Sequence, residues 1–285
     1  MSVPPRETVP ALDAAHGHSE PPSAGRALLV LVRDGVARNR RSALVWGTAL
    51  GLMGALIVAI WPSIGEQMGD LLADYPVALK EAFGVRELDS AEHYVDAEMM
   101  SLIVPFAVAL LAIRCVVGPT VGAEERAELA TTLGLPVDRW VIGTAAVLVA
   151  GVIIATALVL VWILTSLGSV LSGADADLLA LGRGFLNVWP LALTTAGVAL
   201  LVAGGVRGSG TVTGIAAAVL VAMYAVDLVG RLAGDLDAVR TVSAFRYYGS
   251  AIRDGLDATN ILVLVLAAVV FTALGARGLQ RRDIG

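Results

Sequence analysis

The sequence predicts an all-α integral membrane protein with six transmembrane helices, and three observations predict it. Hydrophobic residues make up 57% of the 285-residue chain and charged residues only 16%, whereas an ordinary soluble domain carries about 25% charged residues. The mean hydropathy is +0.79, and the apolar residues fall in runs of roughly twenty, the length at which a helix crosses a bilayer. The basic residues also segregate. Thirteen of the 20 Lys and Arg residues fall in the tails and loops that six spans would leave on one side, the bias expected of cytoplasmic segments. The net charge of −5 hides that asymmetry.

Each element follows in order. Residues 1–24 are rich in Pro, Ala, Ser and His and lack an apolar core segment. They read as a disordered cytoplasmic tail rather than a secretory signal, and His16 and His18 read as tail composition. Residues 25–285 form one transmembrane domain. In residues 25–42, Leu28, Leu29, Leu31, Val32 and Val36 can share a face opposite Arg33, Arg38, Arg40 and Arg41. That suits a helix lying in the membrane interface with its arginines toward anionic lipid, or simply the basic flank of the first span.

The first span is expected at 43–61, where Gly47 and Gly51 form a GxxxG that permits close helix approach, as in a dimer, although small residues are common in such spans. Residues 62–98 carry nine acids against Lys80 and Arg86, which fits the outside. Leu71, Leu72, Tyr75, Leu79 and Phe83 suggest an amphipathic helix there. The second span is expected at 99–117, with Pro105 as a kink. The third is expected at 140–167, with Trp140 and Trp162 toward its ends as interfacial anchors. A short loop with Asp175 and Asp177 leads to the fourth, 185–206. A tight turn at 207–210 leads to the fifth, 211–230, and a polar outer segment, 231–258, to the sixth, 259–276. Arg231, Arg240, Arg246 and Arg253 in that last segment run against the charge bias.

The chain carries little chemistry of its own. Its one lysine, Lys80, stands between Leu79 and Glu81, so no phosphate-binding GxxxxGK[ST] loop exists. His93 is the only histidine outside the tail and Cys115 the only cysteine, which excludes a Cys or His metal centre and an internal disulfide. The arginines flank spans instead of gathering on a soluble fold, which argues against nucleic acid. Asp227 is a candidate intramembrane polar site, and it stands one helical turn before Arg231, where an i,i+4 pair is an equally simple account.

The polar island at 118–143, GPTVGAEERAELATTLGLPVDRWVIG, interrupts two apolar runs. It reads as a short helix. Glu124 and Glu125 fall in the first turn, where acids suit the helix dipole. Leu129 and Leu133 share a face, and Gly134 and Pro136 form the stop. Arg139 and Trp140 anchor the next span. On spacing alone, a solvated intracellular loop with a helical turn fits as well.

With Gly122-Ala123-Glu124-Glu125-Arg126 followed by Leu135-Pro136-Val137-Asp138-Arg139, the island resembles the characteristic segment of the permease subunits of ABC-2 type ATP-binding cassette transporters. Ala123 departs from the usual acidic residue. Trp61-Pro62-Ser63-Ile64 resembles the end of that family's first span. Phe245-Arg246-Tyr247-Tyr248 with Asp254-Gly255-Leu256-Asp257 resembles its last outer segment, and Arg281-Arg282-Asp283-Ile284 its C-terminus.

The resemblance implies a permease without an ATPase site of its own. A separate ATP-binding subunit would hold ATP and Mg, and this chain would bind no cofactor. Gly122, Glu124, Glu125, Arg126, Leu129, Leu133 and Arg139 would form a coupling helix seated on that ATPase. Residues 25–42 would be the connecting helix, and 231–258 short extracellular re-entrant helices. A second permease, identical or related, would complete the pathway. The expected location is a bacterial plasma membrane, with both termini cytoplasmic and lipid all around. An exporter is the expectation; an ATP-independent secondary carrier working through Asp227, or a structural membrane subunit, is the alternative from another class.

Overall fold

The computed structural model describes residues 23–73, 90–126 and 138–282. Among the described residues there is no strand, and six helices are long and apolar enough to cross a membrane. The helices are α1 (Ala24–Ala73), α2 (Ala91–Val117), α3 (Val121–Glu125), α4 (Arg139–Ser172), α5 (Leu178–Gly205), α6 (Ser209–Leu232), α7 (Ala244–Tyr248) and α8 (Ala258–Arg281). A 3-10 stretch, Gly234–Val242, lies between α6 and α7. Residues 1–22 of the expected tail, residues 74–89 of the expected outer segment with Tyr75, Leu79 and Phe83, and Leu129 and Leu133 lie outside the described residues, while Leu71 and Leu72 fall within α1.

The N-terminal expectation needs correcting. Residues 25–42 are not a separate interfacial helix; they are the first part of α1, which runs 50 residues. No proline interrupts the backbone ladder before Pro62. Four of the glycines that would weaken the helix, Gly35, Gly47, Gly51 and Gly54, lie instead against α4. A Cβ on Gly35 would stand 2.6 Å from Val149, one on Gly47 2.9 Å from the Ala157 carbonyl, and one on Gly51 2.8 Å from Leu164. The partners advance together, so α1 and α4 run parallel. From the other side, a Cβ on Gly168 would meet Ala55 Cα at 2.6 Å. The Gly47–Gly51 motif therefore serves packing within the chain. Arg33, Arg38, Arg40 and Arg41 are exposed on the other sides of α1, and Arg38 pairs with Asp34 at 3.4 Å.

Helix α2 packs against α1, α4, α5 and α6. Ser90 caps it, and Val104, Val108, Ala109, Leu111, Ala112 and Ile113 are all buried. Its Asp96–Ile103 stretch is a π-helix ending just before Pro105. Proline has no N–H to donate, and a widened turn is one way a helix absorbs a lost bond.

Helix α5 lies between α2, α4 and α8. It starts at Asp177, whose carboxylate accepts from Leu179 N at 2.8 Å and Ala180 N at 3.1 Å. Such caps satisfy amides that have no partner within the helix. Asp257 caps α8 in the same way. Helices α5 and α8 close on a glycine seam: a Cβ on Gly204 would stand 2.7 Å from the Gly275 carbonyl, and one on Gly275 2.5 Å from Leu200 C. Only residues without side chains let backbones approach so closely. Large apolar side chains such as Leu52, Leu56, Val170, Leu262 and Leu266 point outward, the distribution expected of a bundle solvated by lipid.

Candidate functional site

The island end of the bundle gathers residues from five segments. Thr120 Oγ1 donates to the Val116 carbonyl at 2.6 Å, folding the chain back at the end of α2. Val121 and Gly122 are buried there, while Glu125 and Arg126 are exposed. Helix α3 is short, and its two acids are engaged with the rest of the chain.

Glu125 reaches the start of α6. Its Oε1 accepts from Ser209 N at 2.7 Å, and its Oε2 accepts from the Ser209 hydroxyl. The residue preceding that helix is Gly208, at φ 95°, which has no side chain to cap with. Glu125 therefore does from a distant segment what an N-cap residue does locally, and its charge faces the positive end of the helix dipole. The two hydrogen bonds from Ser209 hold the Glu125 carboxyl below its ordinary value of 4.5, with a smaller contribution from Arg126.

Glu124 lies 3.5 Å from Arg282 Nη2. Arg282 also donates through Nη1 to the Ala203 carbonyl at 2.6 Å, in the last turn of α5, where carbonyls lack helical partners and a cation suits the dipole. Arg139 Nη1 donates to the Arg282 carbonyl at 2.9 Å, and Arg126 Nη2 to the Gly118 carbonyl at 3.3 Å. The island thus ties to the end of α5, the start of α6, the start of α4 and the C-terminal segment. These links join residues far apart in sequence, so no local spacing announces them. The one available signal is Gly208 at a helix start, a cap position left empty.

The opposite end carries two charge clamps. Asp227, on α6, is 1% exposed. It accepts from Arg231 Nε at 2.8 Å and Nη2, and from Arg240 Nε at 3.0 Å. Asp96, at the start of the π-turn, accepts from Arg253 Nε at 3.1 Å and from Ser250 Oγ at 2.6 Å. Three of the four arginines that run against the charge bias thus balance buried acids. Tyr248 donates to the Met100 carbonyl at 3.1 Å. Burial, and then Asp96, push its phenol well above its ordinary value, so it stays a neutral donor. Phe106, Tyr224 and Phe245 pack edge-on and tilted, with ring centroids 5.3–5.8 Å apart. Residues 240–253 are in this way pinned to α2 and α6. Among the described residues, no three His, Cys, Asp or Glu side chains meet as a metal site would need.

Residues 36–280 match the family described as multidrug efflux system permease Rv1217c, C-terminal domain. The chain belongs to this permease family. The match covers the island, both charge clamps and all but the first residues of α1 and the last of α8. No curated protein matches it. Six apolar helices and a permease family together make the chain a multi-pass membrane protein, a transporter permease.

Proposed function

We propose that this permease is the transmembrane subunit of an ATP-driven ABC-2 type exporter, and that a separate ATP-binding subunit holds ATP and Mg and does the hydrolysis. The island is the coupling element. Gly122, Glu124, Glu125, Arg126 and Arg139, together with Leu129 and Leu133, present it to the ATPase on the cytoplasmic side of a bacterial plasma membrane, where both termini also lie. The arginines of residues 25–42 flank the same partner and the anionic headgroups. Residues 231–258 are the short outer re-entrant segment, and a second permease, identical or related, completes the pathway. The cargo class is that of the family description, drugs.

The observation that carries this reading is the linkage of α3. A displacement of the island reaches α6 through Glu125–Ser209 and α5 through Glu124–Arg282–Ala203. A push from a soluble partner would move several spans as a body, the kind of motion by which packed helices switch. The resemblance supplies the partner, and the bundle supplies the lever.

The test is charge reversal, Glu124→Arg with Glu125→Arg, in the assembled transporter. The expected result is a folded permease with an ATPase that no longer responds to it and with transport lost. Unchanged coupling and unchanged partner binding would remove the island from this role.

A further inference from the structure

A groove of about 780 Å³ opens between α4, α5 and α8. None of the residues of the two charge clamps lines it. Its walls are apolar, with Val147, Leu193, Val265 and Val269 among them, while Trp140, Arg277 and Gln280 line it at the island end. We infer that this groove holds one acyl chain of an anionic phospholipid from the leaflet on the island side, with the lipid phosphate on Arg277.

Three observations support that occupant. The first is length. Val265 and Arg277 stand twelve residues apart on α8, about 18 Å along a helix, and one leaflet of the hydrocarbon core is about 15 Å deep. The groove therefore spans one leaflet and ends where headgroups begin. The second is charge. Arg277 is exposed and has no hydrogen bond or ion pair to another described residue, whereas Arg139 and Arg282, at the same end, are engaged. A guanidinium at the mouth of an apolar slot complements a phosphate. The third is the pair of indoles. Trp140 sits at the mouth, where amphipathic rings favour the interface. Trp189, deeper, is fixed by its donation to the Gly151 carbonyl at 2.9 Å. The groove is preformed, because α8 is held to α5 by the glycine seam and α5 forms its back wall. The inference needs the membrane but not the ATPase.

The test uses Trp140 and Trp189 as reporters. In full-length chain with Trp46, Trp61 and Trp162 replaced by Phe, reconstituted in phosphatidylcholine vesicles, tryptophan quenching is titrated with dibrominated phosphatidylglycerol or dibrominated phosphatidylcholine. Half-maximal quenching is expected at about a fivefold lower mole fraction of the anionic lipid, the preference one basic residue confers at a membrane surface. Arg277→Gln should abolish the difference, Arg277→Lys should keep it, and Arg183→Gln, at the other end of α5, should leave it unchanged. Native mass spectrometry of the chain with its own tryptophans should show one retained phosphatidylglycerol that Arg277→Gln loses. Equal quenching by both lipids, or a preference that survives Arg277→Gln, overturns the inference. So does absence of quenching by either lipid, which would mean that protein, such as a second copy, covers the groove.

Discussion

Replacing Asp227 with Asn separates an anchor from a transport group. Its side chain is 2% exposed and holds Arg231, 33% exposed, and Arg240, 21% exposed. Removing one partner of a buried ion pair costs roughly 3–5 kcal/mol, because the remaining charge stays desolvated. Here both guanidiniums can regain some water and Asn still accepts a hydrogen bond, so a loss of about 2–3 kcal/mol is expected. The assay is reversible unfolding in detergent micelles, followed by tryptophan fluorescence. Arg240→Gln added to Asp227→Asn should cost less than it does alone, since its ion pair with Asp227 is already gone. A stability change below about 0.5 kcal/mol, the range of ordinary surface substitutions, would refute the anchor. Intact stability with loss of ion-gradient transport would do so too, and would favour a secondary carrier.

Three further outcomes follow from the packing and the island. Gly275→Ala puts a Cβ 2.5–2.6 Å from backbone atoms of Leu200 and Leu201, so α5 and α8 must separate; a loss of about 1–3 kcal/mol is expected in the same assay. Gly214→Ala, where a Cβ meets nothing within 4 Å, should be neutral or slightly stabilising. Glu125 has a depressed carboxyl, so its link to Ser209 is present above its ordinary value of 4.5 and is lost as pH falls through a lower value. Hydrogen exchange at the Ser209 amide, referenced to Glu125→Gln to remove intrinsic pH effects, should show protection persisting below pH 4.5 before it disappears. Equal exchange in the two proteins near neutral pH would contradict the link.

The six spans were legible because apolar runs of bilayer length announce themselves without tertiary context. The caps at Asp177 and Asp257 are the usual local signals. The unbroken α1 was not legible. Arg33, Arg38, Arg40 and Arg41 suggest an interfacial segment, but arginine is a good helix former, and Gly35 packs closely against Val149, on another span. The glycine seam from Gly204 to Gly275 escaped notice because small residues are common in spans and only packing selects the ones that matter. At the site, the island's position and its acids were readable from spacing. Their engagement was not: Glu125–Ser209, Glu124–Arg282 and Asp96–Arg253 join residues 84 to 158 positions apart, and no periodic signal links such partners. Asp227 with Arg231 was readable as an i,i+4 pair, whereas Arg240 was not, since it arrives through the 3-10 stretch.

The proposed function requires a separate ATP-binding subunit that engages the island. The most direct measurement is quantitative mass spectrometry of proteins cross-linked to the chain in native membranes and purified with it. A cassette ATPase should be recovered in stoichiometric amount, with cross-links near Glu125 and Arg126, and Glu124→Arg with Glu125→Arg should lose both. Recovery of the chain, or of permeases alone, with no ATP-binding protein would contradict the account.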